Sequence, residues 1–593
     1  MINLKKQALP ILSTIIAIAI TLMLVLLYVC NVNRGYNLSD EGFYLLNGLY
    51  PADSKSVLTM FGYYLYFVMF ISSSVVFLRL FTFIVGVIVI IGLCWSFCKF
   101  YLRKPDIVEL ILLICASVCT FCVSWMFPTL PNYNSFTVMG ATLFIALCLF
   151  IFYKDESSRY ISFLLLGFIV VFVFLNKFPV GVILFILGLI VCAIRGYIQK
   201  QLIFIFSCYI LGILIHLLSF FIFIQPLEIF IKQFQNGMVS MKIMDSGHDL
   251  SSISKYMNQV WELLFYSYKK YQIIIYSLCI FKLSTLWFKK IAKFQNFFLV
   301  GLLCVFFALS FHVSNDWSIE RFKAITEFYV SLIIFLVMIF CFNLDKKLFV
   351  NFDFYKVIKL LLLLLLFCMP ILTVIGTNNS ITMQILLSIF LWIPIIFFIS
   401  NELLLVTGIV FRYLLIIGLT ITSASYAMFH LMEIPYGLYG TMFQQNNKIN
   451  INGSLLFVDD TTKYIVNTTK EQLNKCGFKA SDYLVSLTDV PGLTYAVSAR
   501  SPSCSWYFGM YSGVDKFTKF CLNLSPEVTS PFILLDSFVG QQNEFSESQM
   551  GNYFKNFKNR YELCGEVKNI PTDGGSCCKA PIGNIKIYKP KIN

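Results

Sequence analysis

The loop after the first apolar run reads Asn-Leu-Ser-Asp-Glu-Gly-Phe-Tyr-Leu-Leu-Asn-Gly at 37–48. Asp40 and Glu41 stand directly before a short apolar-aromatic stretch that can lie on a membrane. A carboxylate at that depth is partly desolvated, which raises its proton affinity and suits it to general-base work. An Asp there also suits a helix cap, with the helix running on from Glu41. Three cations fall at the ends of apolar runs: Arg79, Lys177 in Asn-Lys-Phe-Pro, and Arg321. Such cations stabilise negative charge that develops in a reaction. They serve equally as interfacial anchors, and Arg321 has Glu320 and Asp316 nearby as ion-pair partners. Tyr133 and Asn134 occupy a proline-bounded turn, and Asn378 and Asn379 another. Asn amides suit sugar hydroxyls and also stabilise turns. Asp245, His248 and Asp249 share a polar stretch long enough to form a substrate lid. Carboxylate and imidazole are metal-ligand types, but three such residues in a loop are ordinarily just solvated, so no metal is expected.

The elements that carry these residues are membrane spans. Of 593 residues, 58% are apolar and 13% charged, against about half and about a quarter in soluble domains. The excess is gathered in runs such as 11–30, 107–127, 161–175 and 360–375. A run of about 20 apolar residues matches a hydrocarbon core of about 30 Å. The net charge of +14 sits mostly in short loops between these runs. Topology explains it better than nucleic acid, which is not expected as a partner. The segment from Lys5 and Lys6 to Cys30 lacks a small-residue cleavage site and reads as an uncleaved signal anchor.

Lys5 and Lys6 place the N-terminus in the cytoplasm. Thirteen spans follow, at about 11–30, 80–98, 107–127, 136–152, 160–175, 180–194, 202–224, 271–288, 296–311, 323–342, 360–375, 382–399 and 413–430. Nearly every inner loop is then rich in Lys and Arg, while the outer turns at 128–135 and 376–381 carry none. The first outer loop is 31–79, with an aromatic helix at 57–72 lying at the interface, and 225–270 is a long polar outer loop.

Residues 1–432 thus form the transmembrane domain, and 433–593 an extracytoplasmic domain of mixed α/β type. In the latter, Gly, Pro and polar residues return. Strand-like runs stand at 455–458, 483–487, 532–535 and 585–588, with a helical pattern at 462–475. The fold class is an α-helical polytopic membrane protein with a C-terminal α/β domain. Six cysteines fall in this domain: Cys476, Cys504, Cys521, Cys564, Cys577 and Cys578. An even number in an oxidising compartment implies disulfides, among which the sequence does not choose. The CxxC of Cys119 and Cys122 lies inside a span and reads as buried thiols.

No nucleotide-binding loop, zinc-protease motif or nucleophile elbow is present. The spans hold almost no acidic residues, and the ionisable residues gather at their outer ends, as a site at the outer membrane surface requires. The Asp-Glu pair just after span 1, the Tyr63–Gly86 stretch with its Tyr-Tyr and aromatic helix, and Arg79-Leu80 at the mouth of span 2 resemble the GT-C superfamily of membrane glycosyltransferases. The likeness is to the lipid A aminoarabinose transferase and protein O-mannosyltransferase type. At the residue level it covers about 37–86.

The resemblance implies a GT-C-like fold and transfer of a sugar from a polyprenyl-phosphate donor presented in the outer leaflet. The acceptor would be a glycan, a lipid or a protein. Asp40 would be the base, Glu41 would assist it, and Arg79, Lys177 and Arg321 would be candidate cations for the departing phosphate. Such an inverting enzyme would sit in a bacterial cytoplasmic (inner) membrane and need no cofactor. Two other classes remain open: a polyprenyl-linked glycan polymerase or ligase, and a non-enzymatic transporter or flippase. The latter would tolerate loss of Asp40 and would survive removal of the C-terminal domain better.

Overall fold

In a computed structural model the described residues are 2–102, 106–126, 130–153, 159–244, 252–287, 294–311, 319–342, 354–376, 380–433, 437–504, 513–537, 547–568, 570 and 582–591. The chain is a polytopic helical membrane protein. Among the described residues, nine helices are long and apolar enough to cross a bilayer, and a bent pair makes a tenth.

The N-terminal half comprises α1 (Ile2–Asn31), α2 (Asp40–Leu49), α3 (Phe61–Ile71), α4 (Val75–Tyr101), α5 (Ile107–Phe121), α6 (Tyr133–Tyr153), α7 (Arg159–Asn176), α8 (Phe178–Gln199) and α9 (Leu202–Phe223). There follow α10 (Leu227–Ile243), α11 (Ser252–Trp287), α12 (Gln295–Phe311), α13 (Ile319–Phe342), α14 (Phe354–Leu372), α15 (Ile381–Gln384), α16 (Ile393–Glu402) and α17 (Leu404–Met432). Every expected span meets a helix, but not every helix is long enough. α7 and α12 offer shorter apolar stretches, Tyr160–Asn176 and Gln295–Leu309. The segment expected at 382–399 is broken into Ile381–Leu387 and Ile389–Glu402, bent by 77°. Ser388 leaves the helical region at the break (φ −127°, ψ 10°), and Pro394 near the start of α16 supplies no N–H to the preceding turn.

Two expectations are corrected. Residues 225–270 are not an open loop: α10 and the first half of α11 occupy most of the described part. In α10, Gln233, Gly237 and Ser240 are buried while Leu227, Ile231 and Met238 are exposed. Polar side chains on the buried face hid this amphipathic pattern. The aromatic helix at 57–72 shortens to α3, and Phe61 points into the core. Its exposed face is Tyr66, Phe67, Phe70 and Ile71.

The C-terminal part holds β1 (Asn447–Ile451), β2 (Ser454–Val458), α18 (Asp460–Lys475), β3 (Leu484–Leu487), α19 (Pro491–Ala496), α20 (Val514–Asn523), β4 (Phe532–Asp536), β5 (Tyr561–Val567) and β6 (Ile585–Pro590). β1 and β2 form a hairpin. Its turn is Asn452-Gly453, both with positive φ (47° and 81°), the backbone that Asn-Gly adopts at least cost. The other strands form a sheet in the order β3-β4-β6-β5, with β3 parallel to β4 and the remaining pairs antiparallel. Cys476 is bonded to Cys564 and Cys504 to Cys521. Cys577 and Cys578 lie outside the described residues.

This part is joined to the bundle through the segment between α1 and α4, whose end of the bundle we call the head. Gly35 N–H donates to the Phe457 carbonyl (2.7 Å) and Phe457 N–H to that of Asn33 (2.9 Å). Val75 N–H, unpartnered within its own helix because it opens α4, donates to Ser454 Oγ at 3.0 Å. Leu38, Phe43, Leu45 and Phe61 share one apolar core with Ile451, Leu456, Val490 and Leu493.

Candidate functional site

Glu41 and Arg79 are a buried ion pair rather than two loose site residues. The side chains are 3% and 8% exposed. Arg79 Nε–H donates to Glu41 Oε1 at 2.9 Å and Nη2 to Oε2 at 2.8 Å. Its other N–H groups go to the carbonyls of Val32, Arg34 and Gly35, at 2.7, 3.1 and 2.9 Å. A guanidinium has five N–H donors, and those five bonds use them all. Glu41 Oε2 also accepts from Asn37 N–H at 3.0 Å. The pair clamps the end of α1, the start of α2 and α4 together, and leaves Arg79 no donor for a substrate phosphate.

Asp40 is the first residue of α2 and is half-buried. The cap position belongs to Ser39, whose side chain makes no capping bond to the helix. Ser39 N–H and Oγ–H both turn back to Asn37 Oδ1, each at 2.7 Å. Asp40 therefore stands on a fixed backbone, at the helix end that favours an anion.

Lys177 and Asn134 are brought together. Lys177 is the single residue between α7 and α8, in extended conformation (φ −151°). The two helices turn tightly there because Gly181 has no side chain: a Cβ on it would meet Phe174 Cα at 2.2 Å. Lys177 is 3% exposed. Its Nζ donates to Asn134 Oδ1 at 3.3 Å and to the Thr373 carbonyl at 2.7 Å. An ammonium has three N–H donors, so one has no acceptor among the described residues. Burial pushes this ammonium down to about 7.

Asn132 shapes the other side. Its Oδ1 accepts from Asn134 N–H and Ser135 N–H, each at 2.9 Å, and so caps α6. Tyr133, next along, packs its ring on Tyr44 and Phe61, at centroid distances of 6.0 and 5.9 Å. It thereby ties the head of α6 to α2 and α3.

Below these residues a narrow cleft, open to solvent at its mouth, descends between α1, α4, α6 and the broken helix. Tyr28, Phe83, Val89, Val138, Leu387 and Phe390 make its walls apolar, while Thr82, Ser124, Asn132 and Ser135 supply polar atoms. Thr82–Val89 and Ser135–Thr142 run along it, about two helical turns or about 10 Å. Arg79 lies one turn from Thr82, and its carbonyl accepts from Tyr28 Oη at 3.2 Å.

The chain matches no protein-family model and no curated protein.

Arg321 belongs to α13, with its side chain outside the described set. His248, Asn378 and Asn379 lie outside the described residues, as do Asp245 and Asp249. Among the described residues no cluster of three or more His, Cys, Asp or Glu could hold a metal. The sequence reading missed Asn132, Thr373, Ser388 and the cleft. A Pro-Asn step before an apolar helix is an N-cap signal that would have flagged Asn132. Thr373 and Ser388 carry no signal in sequence, since their significance is their contact with residues far away in the chain.

Proposed function

We propose that the chain is a GT-C-type glycosyltransferase that moves a sugar from a polyprenyl-phosphate donor to an acceptor at the outer face of a membrane. The observation that carries this reading is an apolar cleft with Asn132 and Ser135 among its lining residues and a buried cation, Lys177, held by the neighbouring Asn134. That combination suits an amphiphile with a long hydrocarbon chain and an anionic head. In the reaction Asp40 takes the proton of the acceptor hydroxyl. The freed oxygen attacks the anomeric carbon, and the bond from that carbon to the phosphate oxygen breaks. The leaving polyprenyl phosphate carries away the electron pair, and Lys177 offsets its charge. Glu41 and Arg79 act at one remove, by fixing the backbone that presents Asp40.

The finer topology belongs to the same reading. α7, α12, the second half of α11 and the bent pair complete thirteen spans, with the N-terminus in the cytoplasm and residues 433–593 outside. Two disulfides in the C-terminal part favour an oxidising compartment.

A transporter or flippase is the second reading, favoured by the broken helix beside the cleft, since discontinuous helices bound many transport sites. Mass spectrometry of surface glycans and glycolipids separates the two. The comparison is between wild type, a deletion strain and Asp40→Asn at matched membrane levels. Loss of the same sugar in both mutants supports transfer. Wild-type glycans with Asp40→Asn sink it and favour transport.

A further inference from the structure

The break at Ser388 stands between Leu387 and Phe390, which line the cleft, and the contact that ties Lys177 in place. Lys177 Nζ donates to the Thr373 carbonyl. That carbonyl is available because α14 ends at Leu372, and carbonyls at a helix end lack intrahelical partners. Thr373 Oγ1 lies 2.9 Å from the Pro370 carbonyl and 3.0 Å from Ser388 Oγ. A hydroxyl has one hydrogen to give. Thr373 gives its own to Pro370, so the Ser388 hydrogen bridges the two hydroxyls at 3.0 Å, in competition with the Ile385 carbonyl, which lies farther from Ser388 Oγ at 3.4 Å. Ser388 and Thr373 are 0% and 5% exposed, so these bonds are shielded from bulk solvent. The cleft wall and the buried ammonium are thus two hydrogen bonds apart. Phe390 also meets Phe121 edge to face at 5.6 Å, and Phe121 lines the cleft as well. A chain entering between them would press on the arm that carries Ser388.

We infer that Thr373 and Ser388 are positioning residues that couple occupancy of the apolar cleft to the placement of the Lys177 ammonium, so that transfer answers to the length of the donor's hydrocarbon chain. The inference rests on the transferase reading and goes further than it. A donor with a long chain fills the cleft, sets the bent helix and fixes the cation. A donor whose chain is too short binds its head group but leaves the cation unset, so the cost falls on kcat more than on KM.

The test uses the full-length purified protein and two donors bearing the same sugar, one on a long polyprenyl phosphate and one on a phosphate with a single isoprene unit, too short to run the length of the cleft. kcat and KM are measured for wild type, Thr373→Val, Ser388→Ala, the double variant and Ser388→Thr, which keeps the hydroxyl. Wild type is expected to lose about ten-fold in kcat on the short donor. Thr373→Val and Ser388→Ala are expected to be slow on both donors and to lose the chain-length ratio. The double variant should be no slower than either single, because both changes remove one link. Ser388→Thr should restore the ratio, which separates loss of the link from loss of folding. Single variants that keep the wild-type ratio, or effects that multiply, overturn the inference alone. A wild type that transfers from neither donor overturns the transferase reading and the inference with it.

Discussion

A Cβ on Gly42 would stand 1.9 Å from the Cα of Gly492, so α2 and α19 meet backbone to backbone. Gly492 N–H donates to the Leu38 carbonyl at 2.6 Å, and the Gly492 carbonyl accepts from Tyr36 Oη at 2.9 Å. The segment that presents Asp40 is therefore packed as part of the C-terminal fold. Gly42→Ala or Gly492→Ala should force the two helices apart and cost about 2 kcal/mol or more. The readout is thermal unfolding in detergent. Truncation after residue 432 would uncover the shared core, so a loss of function there no longer separates an enzyme from a transporter.

Arg79→Ala should destabilise the head by about 3–5 kcal/mol, because it strands Glu41 as a buried charge. Arg79→Lys is expected to do nearly as badly, since an ammonium has three donors where five bonds are made. Were Arg79 instead a phosphate contact, the lysine variant would melt like wild type and retain most of its binding. Comparing melting points with donor affinity for the two variants decides the matter.

Lys177 supplies a pH dependence whose sign can be worked out. It lies outside both flanking spans, and burial lowers its ammonium to about 7. The charged form is complete below that value and is lost as pH rises through it. kcat should therefore decline as pH rises past about 7, and Lys177→Arg, which keeps its charge, should flatten that limb. Stability should move the other way. Above about 7 the unfolded chain keeps a proton that the folded one has released, so folding strengthens with pH toward the ordinary lysine range. A wild-type kcat that is flat across this window removes the Lys177 charge from the rate.

Asp40→Asn should lower transfer by about 10²–10⁴-fold while shifting stability by less than about 1 kcal/mol. The two effects separate because the side chain is half-buried and the cap position belongs to Ser39. Equal losses of activity and of melting temperature would make Asp40 a structural residue.

The two disulfides close loops of different length, with sequence separations of 88 and 17. Loop-closure entropy then assigns about 4–5 kcal/mol to Cys476–Cys564 and about 3 kcal/mol to Cys504–Cys521. Cys476→Ala should consequently lower the melting point more than Cys521→Ala.

The sequence by itself determined that this is a polytopic membrane protein, because apolar runs of bilayer length are a local property and need no partner to be recognised. It also marked the helices α4, α8 and α9 and the Asn-Gly hairpin turn, where local propensity and tertiary fold agree. Shorter segments were legible only as helices. Whether α7, α12 or the bent pair crosses a membrane depends on tilt and on neighbours. Only the tertiary structure decided what the charged residues do. Glu41 and Arg79 are 38 positions apart, and nothing in their spacing says that each satisfies the other. Lys177 reads as an interfacial anchor in sequence, yet Asn134 and Thr373, 43 and 196 positions away, bury it. Burial, pairing and the cleft all arise from contacts between distant segments. Those contacts, rather than residue type, separate a clamp such as Arg79 from a buried cation such as Lys177.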